Sequence, residues 1–191
     1  VTSIVPSLQP PNDIRITHVG HICVHPVLLS LFALQISAQY RTFVAYSTGS
    51  SSVVLKGTDE TTLEVRPEIV PELQNRNIIS LVIGDYHYGA LTSTGKLLTW
   101  GDFSRGALGL GDPTAIEAGQ PGGYPTDRQR QAASAHGGPY PPRLTEPTEV
   151  RFDHHEKRRR RRFCFAATAA GWHTGALAID LEVLYPCFVA C

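Results

Sequence analysis

The chain has 191 residues, of which 42% are hydrophobic and 18% charged, with 17 basic against 17 acidic side chains. That length allows one domain with a sizeable core, and that balance is the composition of a soluble globular chain rather than a disordered one. Cysteines 23, 164, 187 and 191 make no CxxC pair, which fits free thiols in a reducing compartment, cytosol or nucleus.

The first 35 residues read as a strand followed by an atypical apolar insertion at 19–35. The apolar core of that insertion, Val27 to Ile36, includes Ser30 and Gln35 and is too short to span a bilayer. It is internal and lacks a basic leader, so it is not a signal peptide. With it removed, Ile14–His18 runs straight into Ile36–Tyr40. Both this stretch and Leu181–Cys191 are therefore expected to be translated intron or the product of a mis-spliced gene model, in a chain that starts at Val1 and holds no methionine. His18, His21, Cys23 and His25 are the densest set of metal-ligand side chains. Three of them would share a face of a strand, but the spacing matches no zinc pattern and Pro26 interrupts it. No metal is expected.

Residues 36–112 carry the clearest pattern. Ile78–Ile83 is an apolar strand, Gly84–Asp85–Tyr86–His87 a turn, Ala90–Leu91–Thr92 a short strand, Thr94–Gly95 a hairpin, and Leu97–Trp100 a further strand. Gly101 follows, then the polar loop Asp102, Phe103, Ser104, Arg105, and a closing run spaced by Gly106, Gly109 and Gly111. Glycines at the edges of short β-prone runs mark positions of left-handed backbone or close chain approach. Trp100 is large enough to fill a wedge between neighbouring sheets.

Residues 113–162 are rich in Pro, Gly, Gln and charge, and are expected to be a disordered excursion between strands. The segment ends in six consecutive cations, Lys157 to Arg162; the remaining 11 cations face 17 acids. Such a run is a solvated loop. Its functional readings are nuclear import, nucleic-acid contact or docking on an acidic partner. No aromatic residues are interleaved with it for base stacking, so nucleic acid is not the expected partner.

Residues 163–191 hold a partial repeat with an atypical tail. Ala170–Gly171–Trp172–His173–Thr174–Gly175–Ala176–Leu177 repeats the turn and strand around His87, and Ile36–Ala45 fits the same frame with Arg41 at the histidine position. Arg41 and His87 are 46 positions apart, and His87 and His173 are 86 apart, one period plus an insertion. His87 and His173 are expected to be buried, hydrogen-bonded histidines that pin their turns.

This pattern resembles the regulator-of-chromosome-condensation repeat, carried most specifically by Gly84 through Trp100–Gly101 to Gly111. The wording of 36–57, 67–113 and 163–182 is similar to fungal F-box proteins with such repeats. The resemblance implies an all-β fold, a partial β-propeller. A closed propeller takes about four to eight blades, and at about fifty residues each only two or three fit here.

It further implies a non-enzymatic protein-binding module that captures a protein substrate for an SCF, cullin-based ubiquitin ligase. The ligase core would be reached through an N-terminal F-box that this sequence does not contain. The alternatives are nucleotide exchange on a Ras-like GTPase at chromatin, the founding activity of the family, and a non-functional gene fragment. Catalytic residues and cofactors are not expected: there is no GxGxxG, no GK[ST] and no G-x-S-x-G. Loops carry recognition on such scaffolds. Asp102, Phe103, Ser104 and Arg105 are the candidate partner-binding residues, with Phe103 and Arg105 as anchors, or else a turn that merely joins strands.

Overall fold

The computed structural model describes residues 15–18, 21–23, 34–39, 42–49, 52–57, 67–103, 106–137, 140–154 and 160–182, with backbone alone for 15–18 and 21–23. Ser104, Arg105, His25, Lys157–Arg159 and 183–191 lie outside them. Strands β1 (Arg15–His18) and β2 (His21–Cys23) pair as a small antiparallel ribbon.

Three further antiparallel sheets follow, each built from consecutive strands. The first holds β3 (Leu34–Gln39), β4 (Thr42–Ser47), β5 (Val54–Lys56) and β6 (Glu68–Ile69), in that spatial order. Strand β3 begins two residues ahead of the boundary expected at 36, because Leu34 and Gln35 pair with Ser47 and Tyr46. The Tyr46 hydroxyl also donates to Gln35 Oε1 at 2.8 Å. The second sheet holds β7 (Ile78–Ile83), β8 (His87–Thr92), β9 (Leu97–Gly101) and β10 (Leu144–Glu149). The third is the hairpin β11 (Arg162–Ala170) and β12 (His173–Asp180).

Alternation along β8 explains how the sheets stack. Tyr88 and Ala90 face a core shared with the first sheet, containing Val44, Tyr46, Val54, Leu81, Ile83, Leu98 and Trp100. Leu91, on the opposite face, joins Leu97, Phe103, Leu108, Leu110, Val150 and Cys164. Every residue of β8 and β9 is consequently buried, as expected for strands covered on both faces. Each fully buried large aliphatic side chain contributes about 1.5–3 kcal/mol. Tyr88 and Trp100 are register partners, and their rings stack at 5.3 Å with planes 11° apart.

The 113–162 stretch departs from the expected disorder. It contains helix α1 (Asp127–His136) and the strand β10 that completes the second sheet. The helix is specified locally: Thr126 Oγ1 caps the Gln129 N–H, and Gly137 closes it in left-handed conformation. Pro147 inside β10 is tolerated because β10 is an edge strand, where no ladder N–H is lost. Buried Leu108, Leu110 and Tyr124 anchor the loop leading into the helix.

Candidate functional site

The topology gathers three connections at one end of the sheets, beside the paired ends of β3 and β4 at Gln39 and Thr42: 84–86 between β7 and β8, the loop that starts at Asp102 after β9, and 171–172 between β11 and β12. Backbone bonds tie these turns together. The Asp85 N–H donates to the Gly171 carbonyl at 2.8 Å, and the Asp102 N–H donates to the Tyr86 carbonyl at 2.9 Å. Gln39 Nε2 donates to Asp85 Oδ1 at 3.0 Å, linking the first sheet to the second.

Two glycines make this packing possible. A Cβ at residue 84 would overlap the His87 ring. Gly101 has φ 112°, and a Cβ there would stand 2.5 Å from the Tyr86 carbonyl oxygen, so no other residue fits. At the opposite end Gly95 turns the β8–β9 hairpin against the Phe163 ring. Gly106, Gly109 and Gly111 are all left-handed in the loop after β9. Within that loop, Leu108 offers its carbonyl to Thr99 Oγ1 at 2.7 Å.

His87 is fully buried, and its Nε2 shares a 2.7 Å hydrogen bond with Thr174 Oγ1 of the hairpin. Burial holds its imidazole below the ordinary histidine range; a hydrogen bond from the ring to the His173 backbone and the Asp85 charge oppose this less strongly. It is a neutral pin between sheets. His173, expected to match it, is exposed. The reason is packing: β8 has a neighbour on both faces, whereas β12 is covered on one. Trp172 is likewise 42% exposed.

Phe103 also departs from its expected role as a surface anchor. It is 6% exposed and belongs to the second core, with its ring 6.2 Å from Tyr140. Asp102 stays at the surface, 3.8 Å from Arg143 Nε. Tyr86 and Asp85, which carried no expected contact role, take the exposed position instead, together with the repeat-signature Trp172. Tyr86 is 50% exposed and packs at 6.4 Å, tilted 50°, on Trp172; Asp85 sits beside them. A signal for this existed: Tyr40, Tyr86 and Trp172 each precede the frame residue of their repeat. The resulting surface, Asp85, Tyr86, Asp102 and Trp172, is an aromatic patch with acidic neighbours. It offers contact area and hydrogen-bond acceptors, with no nucleophile–base pair. Among the described residues no cluster of three or more His, Cys, Asp or Glu side chains is placed to hold a metal ion. No helix among them is long and apolar enough to cross a membrane.

Residues 78–107 match the Regulator of chromosome condensation (RCC1) repeat. SCF-associated factor 1 of Saccharomyces cerevisiae is 36% identical over 107 residues, covering 55% of this chain and 14% of that protein. F-box protein pof9 of Schizosaccharomyces pombe is 28% identical over 151 residues, covering 78% of this chain and 29% of that one. The crystal structure of Prp20p from Saccharomyces cerevisiae matches with a TM-score of 0.50 at 12% identity, over 79% of this chain and 32% of that one. The chain thus spans less than a third of each of these proteins. Residues 78–107 thus carry one RCC1 repeat on a complete four-stranded sheet, flanked by a second such sheet and a hairpin in the same frame, and the fold matches part of a propeller.

Proposed function

We propose that this chain is part of the substrate-recognition propeller of an F-box protein, the subunit that presents a target protein to an SCF, cullin-based ubiquitin ligase. The observation that carries this reading is its similarity to both SCF-associated factor 1 and F-box protein pof9. Recognition falls to the sheet end bearing Asp85, Tyr86, Asp102 and Trp172, where exposed aromatic rings supply contact area at low entropic cost. The chain acts by contact and performs no covalent step. Nucleotide exchange on a Ras-like GTPase ranks second, because only the fold supports it.

The test uses the full-length product of the gene. It is expected to co-purify with a cullin scaffold and its F-box adaptor, and to lose target ubiquitination when Tyr86 and Trp172 are both changed to Ala. A full-length product that binds no cullin complex, or that accelerates nucleotide release from a Ras-like GTPase, rejects the proposal.

A further inference from the structure

A second polar feature lies at the opposite end of the sheets. A cavity of about 240 Å³ is lined there by Asn75, Arg76, Asn77, Thr94, Lys96 and Glu149, among others. Its volume is below that of drug-sized pockets, and suits a compact polar group. The turn before β7 forms one wall, the β8–β9 hairpin another, and the end of β10 the third.

The turn is unusual in its backbone. Asn75 and Asn77 both hold left-handed conformation, with φ of 58° and 51°, and they are the only described non-glycine residues that do. Such residues persist where the surroundings hold them, and they gather at ligand clamps. Here the holding bonds are visible: the Asn75 N–H donates to the Ser52 carbonyl, and the Asn77 carbonyl accepts from the Ser93 N–H. These bonds fix the main chain and leave the side chains unused. Among the described residues no hydrogen bond or ion pair engages the side chains of Asn75, Arg76 or Asn77.

The charge at this end favours an anion. Glu149, the acid of the cavity wall, is held by Lys96 Nζ at 2.7 Å. Asp180, at the end of β12, is held by Arg160 at 2.9 Å. Arg76 is exposed and unengaged, and Arg161 is exposed beside the start of β11. A guanidinium with two carboxamides is a donor set for a tetrahedral oxyanion, since Arg presents several N–H groups in a planar fork.

We propose that this cavity binds a phosphate-type oxyanion, with Arg76 as the charged donor and Asn75 and Asn77 as neutral ones. The paired Lys96 and Glu149 form the rim of the site. The site is independent of the Tyr86–Trp172 face and of any ligase.

The experiment is an amide-resolved NMR titration of the full 191-residue chain with inorganic phosphate, repeated with a short peptide carrying one phosphoserine and with sodium chloride at matched ionic strength. Saturable shifts centred on Asn75–Asn77 and Thr94–Lys96 are expected with both phosphate probes and not with chloride. Tighter binding of the peptide identifies a peptide-borne group as the source, and equal binding identifies a free anion. Arg76→Ala, which removes a side chain without folded contacts, is expected to raise Kd about tenfold. Glu149→Gln is expected to lower Kd, by removing the competing acid. Equal shifts with chloride, shifts centred on Arg160–Arg162, or an Arg76→Ala variant that binds as the parent does would each overturn the assignment.

Discussion

The second sheet and the β11–β12 hairpin carry the same turn, yet bury it differently. His87 is enclosed, while His173 in the matching frame is exposed. Trp100 lies inside a core formed with the first sheet, while Trp172 lies on the surface. The hairpin also leaves Phe165, Leu177 and Ile179 exposed. A repeat motif therefore specifies backbone geometry, and burial is decided by whichever sheet packs alongside, as expected of arrays whose stability is shared between neighbours.

The largest expected effect tests that contrast at the tryptophans. Trp100→Ala should destabilise by about 3–5 kcal/mol, as for other deletions of buried large aromatics, while Trp172→Ala should change stability by less than about 1 kcal/mol. Denaturant unfolding of the two variants measures both. Comparable losses would mean that the hairpin is packed as tightly as the sheet.

The histidines sharpen the same contrast. His87→Ala empties a buried site and removes the bond to the half-buried Thr174 hydroxyl, at an expected cost of about 1–3 kcal/mol; His173→Ala should stay within about 0.5 kcal/mol. The pH dependence follows from the lowered His87 value. The unfolded chain takes up the proton first, so this contribution is complete above the unfolded-state pKa of about 6.5 and is lost as pH falls through the folded value. Thermal melts from neutral to mildly acidic pH should show that slope, and His87→Gln should flatten it. A slope unchanged in the variant assigns the proton elsewhere.

A smaller effect distinguishes the glycine-spaced loop, which the hairpin lacks. Thr99→Val removes the bond to the Leu108 carbonyl and should cost about 1 kcal/mol in chemical unfolding. Smallest of all, Glu149→Gln breaks an exposed pair with Lys96 and should cost about 0.5 kcal/mol or less, further reduced by salt.

The second sheet was legible in the sequence from Ile78 to Gly111 because apolar alternation and glycine turns coincide there. Strand β10 was not, since LTEPTE is polar, contains a proline and pairs with β9 across a long separation. Phe103 was misplaced for a related reason: its neighbours Asp102, Ser104 and Arg105 signal a surface loop, and only the second core shows that the ring turns inward. Tyr86 could have been found from the aromatic that recurs before each frame residue. His173 could not, because its exposure depends on packing that no local pattern encodes.

The route from β9 to β10 has a consequence for how this sheet assembles. The chain leaves at Gly101 and returns at Leu144 to pair with the strand it left. Closing that span rather than a four-residue hairpin adds about 2 kcal/mol of chain entropy opposing β10. The edge strand should therefore dock after β7, β8 and β9 have formed, with slower amide protection during refolding. Because the excursion starts and finishes at adjacent strands, a cut within the exposed helix α1 leaves two pieces still joined by the β9–β10 ladder.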